Sequence, residues 1–230
     1  MRGENSMVSP IFTAAWRPAG LIYLGVCLAA LGVGIVPQAI YPAEQDVVAA
    51  PRPTLQTLAV AQSLAILLLH PLATLARSQR GAAGRYWLEI IVESAAWLIV
   101  TAPFYTAAAW LADATAGDMA RTVLYVLSLW PLSWSAGAIL RSRPGGRTAT
   151  ILLLLIVASM PAAWYVTREF LRPISAEWLW QLGPPTFAWQ AAASRTGAIL
   201  PRPLWALIVW PATAAVLAAL SVLPGPRQKA

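Results

Sequence analysis

The chain offers few side chains that could carry out catalysis, and their types exclude most classes of enzyme. Its 230 residues include one histidine, one cysteine and one lysine, which are His70, Cys27 and Lys229. One histidine cannot form a His-Glu-x-x-His zinc site, and one cysteine cannot form a disulfide or an iron–sulfur cluster within the chain. Lys229 lies outside every long apolar run, so we expect neither a phosphate-loop lysine nor a buried Schiff-base lysine. The composition therefore predicts no enzyme, no metal and no cofactor.

Two acids, Glu89 and Glu93, fall inside or near a long apolar run. Because they are four residues apart, they share one face of a helix, and Arg85 precedes Glu89 by the same interval. A carboxylate close to lipid is costly, which makes it a candidate functional group. Three interpretations stay open: an Arg–Glu ladder that anchors a helix at the membrane surface, a docking surface for a partner, and a relay for protons or substrate.

A short basic segment that contains Arg77, Arg80 and Arg85 leads into these two acids. The positive charge that is ordinary for a cytoplasmic loop accounts for its composition. The alternative is that the segment and the two acids together contact a soluble subunit. We take the three arginines and the two glutamates as the candidate docking residues.

The polar residues of the other apolar runs favour packing over chemistry. His70, which precedes Pro71, has a side chain that titrates near neutral pH, but a lone histidine without a carboxylate on its own helix is typical of hydrogen-bonded packing. Ser128, Ser133 and Ser135 are expected to join helices to one another. Each predicted span contains a proline, and kinks at these prolines favour a protein that moves.

The composition indicates that lipid is the main solvent of the chain. Apolar residues make up 59% of it and charged residues 11%, against about 45–50% and about 25% in soluble domains. Its mean hydropathy is +0.63. We predict an all-α polytopic membrane protein that forms a single transmembrane domain, with six runs long enough to span a bilayer. These runs are Ala19–Tyr41, Leu55–Leu75, Trp87–Leu111, Thr122–Leu140, Thr148–Val166 and Leu204–Leu223.

The positions of the cations predict the orientation of these spans. If residues 1–18 are a cytoplasmic entry segment, ten cations lie inside and six outside, and the outer six share their loops with six acids. An excess of Lys and Arg inside is the rule for membrane proteins, so both termini, including the tail 224–230, are expected in the cytoplasm. The same rule accounts for the net charge of +7 without a nucleic-acid partner. The expected location is the inner, cytoplasmic membrane of the cell.

The segment 167–203 separates the five spans of residues 19–166 from the sixth span, 204–223, and is too apolar for a free outer loop. Tryptophan favours the headgroup level of a membrane. We therefore predict an amphipathic or re-entrant hairpin of two short helices, joined at a Gly-Pro-Pro break, on the outer side. Its marker residues are Trp178, Trp180, Gly183, Pro184, Pro185 and Trp189.

This layout resembles the membrane subunit of bacterial type-2 ABC transporters, the exporter-type permeases. The resemblance lies in the six spans, the basic entry helix around Pro10–Arg17, the segment Arg77–Glu93 between spans two and three, and the hairpin before span six. The stretch Leu182–Trp189 looks like the proline-containing hairpin turn of that family. The resemblance implies that Arg77–Glu93 meets a separate cytoplasmic ATPase, and that the permease pairs with itself or with a similar permease.

Two functions follow as expectations. The first is a permease subunit of an ATP-driven transporter, embedded in the lipid bilayer and energised by a separate ATPase. The second is an integral membrane subunit that does not transport but anchors or assembles a larger envelope complex. Neither the substrate nor the direction of transport can be read from these residues.

Overall fold

The computed structural model describes residues 18–40, 53–75, 83–142, 147–170, 183–194 and 206–222. These residues are helical except at 112–115, 129, 183 and 194, and they contain no strand. The prediction of an all-α protein is confirmed for this part of the chain. The helices are α1 (Pro18–Ile40), α2 (Pro53–Leu64), α3 (His70–Leu75), α4 (Ala83–Leu111), α5 (Ala116–Ser128), α6 (Trp130–Ser142), α7 (Arg147–Phe170), α8 (Pro184–Ala193) and α9 (Ala206–Val222), with a π turn (Ala65–Leu69) between α2 and α3.

Four stretches of the described helices are long and apolar enough to cross a membrane. They are Pro18–Val36, Pro53–Ala73, Leu88–Leu111 and Ala116–Leu140. They correspond to the first four predicted spans and support a membrane protein. In the regions of the fifth and sixth predicted spans, α7 and α9 contain the shorter apolar stretches Thr150–Met160 and Leu207–Ala219.

The spans differ in how deeply they lie inside the protein. Only 22% of the first span is buried, whereas 61% of the second and 67% of the fourth are buried. Many exposed side chains of α1 and α7 are large and apolar, among them Leu28, Val33, Leu152 and Ile156. Water would penalise such a surface, but hydrocarbon does not. The second and fourth spans therefore form the centre, and α1 and α7 present apolar surfaces suited to lipid.

The second span is interrupted by the π turn immediately before Pro71. Proline has no N–H group, and its ring collides with the carbonyl one turn earlier, so an α-helix cannot continue unchanged through it. The backbone N–H of His70 instead donates to the carbonyl of Ala65, five residues back. The extra residue in this turn lets the chain remain helical up to the proline.

The fourth span is interrupted at Leu129, two residues before Pro131. The N–H of Leu129 donates to the carbonyl of Val126 at 3.2 Å, a tight last turn that ends α5. The N–H of Ser133 then donates to the carbonyl of Leu129 at 3.1 Å and starts the ladder of α6. Both central spans are thus broken next to a proline. Because α3 packs on α6, the two breaks lie close together.

The sequence around the turn between α4 and α5 fixes where α5 begins. The Oγ1 of Thr115 accepts from the N–H of Asp118 at 3.1 Å, and Oδ2 of Asp118 accepts from the N–H of Thr115 at 3.2 Å. This capping box satisfies two N–H groups at the helix start. Asp113 has φ of 48°, a conformation that aspartate adopts more readily than most residues. The helix therefore begins at Ala116, six residues before the predicted fourth span.

A close approach at Gly34 joins α1 to the centre. A Cβ atom at Gly34 would lie 2.5 Å from Cα of Thr54 and 2.9 Å from the carbonyl oxygen of Pro53. Beside it, Oγ1 of Thr57 donates to the carbonyl of Ala30 at 2.9 Å. Small residues commonly allow membrane helices to approach in this way. Gly32, on the same helix, has open space around its own Cβ position.

We expect Gly34→Ala to destabilise the folded protein by about 1–3 kcal/mol, because the added methyl group collides with backbone atoms of α2 that cannot rotate away. Gly32→Ala is the matched control, and it should not lower stability because alanine is the better helix former. The measurement is the temperature at which half of the detergent-purified protein loses its helical circular dichroism. Equal melting temperatures for the two variants would show that α1 and α2 do not pack at Gly34.

Candidate functional site

The helix breaks in the two central spans meet at a buried cluster of aromatic rings, which we call the His70 cluster. Its members are His70, Trp97 of α4, Trp130 and Ser133 of α6, and Tyr23 of α1. Nδ1 of His70 lies 2.8 Å from Oγ of Ser133. The His70 ring packs edge-on against both indoles, with centroids 5.4 Å from Trp97 and 4.9 Å from Trp130. The four aromatic members are each at most 2% exposed.

The aromatic contacts continue from one helix to the next. Tyr23 stacks on Trp97 with centroids 4.3 Å apart, and Trp97 meets Trp130 at 5.9 Å. Trp134 follows at 6.4 Å from Trp130, and its Nε1 donates to Oγ of Ser94 at 2.8 Å. The cluster therefore ties α1, α3, α4 and α6 together by ring packing and hydrogen bonds. The predicted role of His70 as a hydrogen-bonded packing residue agrees with these contacts.

Two indole nitrogens of the cluster are unusual. Nε1 of Trp97 and Nε1 of Trp130 are buried and have no hydrogen-bond partner. A buried donor left unpaired costs about 1–3 kcal/mol, and most buried polar groups are paired. The indole of Trp134, a less buried neighbour, does have a partner and donates to Oγ of Ser94. The His70 cluster therefore holds hydrogen-bonding capacity that its own packing does not use.

A second polar cluster lies farther along the same spans, between α1, α2 and α4. Oε1 of Gln62 accepts from the hydroxyl of Tyr105 at 2.5 Å, and Nε2 of Gln62 points at Sγ of Cys27 from 4.0 Å. Gln62 and Cys27 are fully buried. An amide inside a membrane protein is stabilised by such partners on neighbouring helices. This cluster consists of paired, uncharged groups, so it fits a packing role.

At the other end of the fourth span, a buried arginine holds α8 in place. Arg121 is 1% exposed, and its Nη2 lies 2.9 Å from Oδ1 of Asp118, which is also 1% exposed. Nε of Arg121 donates to the carbonyl of Ala191 at 3.0 Å, and Nη2 also donates to the carbonyl of Ser194. These carbonyls end α8, where a positive charge is favourable. Tyr125, one turn further along α5, donates to the carbonyl of Pro184 at 3.2 Å at the opposite end of α8.

The structure describes part of the predicted outer hairpin. Gly183 precedes α8, and Pro184 and Pro185 form its first turn, which agrees with a helix that begins at the Gly-Pro-Pro break. These three residues are buried, whereas Trp189 is 37% exposed. The helix packs against α2, α5 and α7. Trp178 and Trp180, predicted for the first half of the hairpin, lie outside the described residues.

Of the five candidate docking residues, the structure describes the side chains of two, Glu89 and Glu93. Glu93 is fully buried and lies one turn before Trp97, whereas Glu89 is partly exposed. Arg85 belongs to α4, but its side chain is not described, and Arg77 and Arg80 lie outside the described residues. The docking role therefore stays a prediction.

Neither the Arg121 contacts nor the unpaired indoles are evident from the sequence. Asp118 and Arg121 fall in a predicted outer loop, because the apolar run begins only at Thr122. The local signal was the capping pattern that begins at Thr115, which places the helix start earlier and both charges on the helix. Of the three serines expected to join helices, Ser133 does so, whereas Ser128 and Ser135 donate to carbonyls of Tyr125 and Pro131 nearby in the chain.

Comparisons with protein-family models, with curated proteins and with solved structures find no match to this chain.

We expect Arg121→Leu to lower the free energy of unfolding by about 3 kcal/mol or more, because it leaves the carboxylate of Asp118 buried without its cation and the carbonyls of α8 without their donor. Adding Asp118→Asn should recover part of the loss, since the amide can still accept from the N–H of Thr115 but carries no charge. Denaturant titration followed by circular dichroism measures both. A double variant less stable than Arg121→Leu would contradict the ion-pair account.

Proposed function

We propose that this chain is the membrane-spanning subunit of a transporter. The observation that carries the proposal is the meeting of two interrupted central spans at one buried polar cluster. The π turn before Pro71 and the break at Leu129 lie on either side of the contact between His70 and Ser133. A purely structural anchor needs no such interruption of its two most buried spans.

Interrupted helices have a known physical use in membrane transport. Irregular backbone is tolerated at membrane depth only where protein or a polar cavity satisfies its hydrogen bonds. Many transporters place their substrate site between discontinuous spans, where the ends of the half-helices and the unwound backbone bind substrate and ions. The adjacent breaks in the second and fourth spans would give the halves of each span freedom to tilt about the His70 cluster.

The proposed energy source is ATP hydrolysed by a separate cytoplasmic subunit. The sequence has no nucleotide-binding loop of its own, and its layout resembles the permeases of type-2 ABC transporters. In this proposal α7 and α9 complete a set of six spans with both termini in the cytoplasm of a bacterial cell. Arg77, Arg80, Arg85 and Glu89 face the ATPase, and the permease works as a homodimer or beside a similar permease.

The burial of Glu89 and Glu93 fits a segment that transmits movement. Glu89, partly exposed, is accessible to a partner, whereas Glu93, one turn further, lies fully inside the protein. The next turn of α4 brings Trp97 against His70. A displacement of the start of α4 by a docked ATPase would therefore pass along one rigid helix to the two breaks.

The test is purification of the tagged full chain from its native membrane in mild detergent, with assay of ATP hydrolysis and identification of bound subunits. We expect an ATP-hydrolysing subunit to copurify and Arg85→Ala combined with Glu89→Ala to reduce its recovery or its coupling to transport, because the variant removes charges from the docking segment. Arg147→Ala is the control, since Nε of Arg147 donates to the carbonyl of Leu140 on a different helix.

Three results would count against the proposal or one of its parts. A stable complex without any nucleotide-hydrolysing subunit would favour the alternative, an integral membrane subunit that anchors or assembles an envelope complex. Equal recovery and coupling for the double variant and Arg147→Ala would remove the docking role from Arg85 and Glu89. Loss of the double variant from the membrane would favour the interpretation of these residues as an Arg–Glu ladder that the chain needs for folding.

A further inference from the structure

The two unpaired indoles of the His70 cluster point to a ligand. Three tryptophans lie in contact here, and each carries one N–H donor and no acceptor. Trp134 donates to Ser94, but Nε1 of Trp97 and Nε1 of Trp130 have no partner, although both rings are at most 2% exposed. Both rings pack on the same histidine. Both unmet donors belong to rings that contact His70, so an acceptor from outside the chain is needed to satisfy them.

The charges around the cluster select the chemistry of that acceptor. Glu93 is fully buried one turn before Trp97, so an anionic ligand would be placed near a carboxyl group in a low-dielectric interior. Among the described side chains the cations are Arg121 and Arg147, and both bind backbone carbonyls on other helices. A cationic ligand would offer N–H donors, whereas the two indole N–H groups need an acceptor. An uncharged ligand with an acceptor oxygen therefore suits the two indoles and the buried carboxyl group of Glu93.

We propose that the His70 cluster is a binding site for a small, uncharged oxygen acceptor, either water or a hydroxyl-bearing solute, held by the indole N–H groups of Trp97 and Trp130. Buried polar groups that find no partner in the chain are commonly satisfied by such molecules. The site lies beside both helix breaks, where local movement would admit the ligand. If the chain is a transporter, as proposed above, this site is a polar binding site along the pathway of its substrate.

Hydroxyl-radical footprinting of the purified full chain tests the site without requiring transport. Radicals generated from water oxidise side chains that lie next to bound water, even inside a protein. Trp97 and Trp130 should be oxidised several-fold faster than Trp210, which is also buried and lies in α9 outside the cluster. Peptide mass spectrometry resolves the three residues. Oxidation of Trp97 and Trp130 at or below the rate of Trp210, with and without added solute, would overturn the proposal.

Glycerol as an added probe separates the two sources of the acceptor. Protection of Trp97 and Trp130, normalised to the half-exposed Trp189, would show that a hydroxyl-bearing solute enters the site. Unchanged oxidation would assign the site to water. The wild-type comparison needs no variant, so a failure to fold cannot obscure it.

Variants then test whether the two donors act on one ligand. Trp130→Phe keeps the ring but removes its N–H, and it should lower the oxidation of Trp97 several-fold. Trp189→Phe is the matched control and should leave it unchanged, because Trp189 lies outside the cluster. Unchanged oxidation of Trp97 in folded Trp130→Phe would show that the two indoles do not share a ligand. If Trp97 and Trp130 of the wild-type chain are oxidised no faster than Trp210 while transport persists, the site is refuted and the proposed function stands.

Discussion

The structure depends on how the chain satisfies polar groups where water is absent. Each proline in a membrane span removes one backbone donor, and hydrocarbon supplies no replacement. A π turn precedes Pro71 and a tight turn precedes Pro131, and these two interruptions lie side by side. The hydrogen bond between His70 and Ser133 then joins the segments that follow the breaks. The arrangement of α3, α4 and α6 around this bond determines which rings pack in the centre.

The same constraint explains why so few polar side chains of the described core are available for chemistry. Gln62 and Tyr105 bind each other, Ser94 receives the indole of Trp134, and Arg121 caps the end of α8. Each of these groups joins two helices, which is the main use of polar residues between membrane helices. The indoles of Trp97 and Trp130 differ from these groups, because they are equally buried but have no hydrogen-bond partner.

Periodicity and composition were sufficient to predict the helical class and the location of the first four long apolar helices. They could not predict the contacts of charged residues at the helix ends, because the burial of a charged residue depends on which helix packs over it. From the sequence, Arg121 is expected to be a loop cation. In the structure it is buried, because residues some seventy positions later supply the carbonyls of Ala191 and Ser194. Likewise, His70 has no carboxylate on its own helix, and its partner Ser133 comes from a distant span.

The most direct test of this account is the coupling between His70 and Ser133, measured by a double-mutant cycle of His70→Ala, Ser133→Ala and the double variant. The free energies of unfolding in detergent give the interaction energy that remains after the separate effects are subtracted. We expect a favourable coupling of about 0.6 kcal/mol, the average for hydrogen bonds between membrane helices, and at most about 1.7 kcal/mol. Strictly additive effects, within about 0.3 kcal/mol, would contradict it, because the two interrupted spans would then not be joined at this contact.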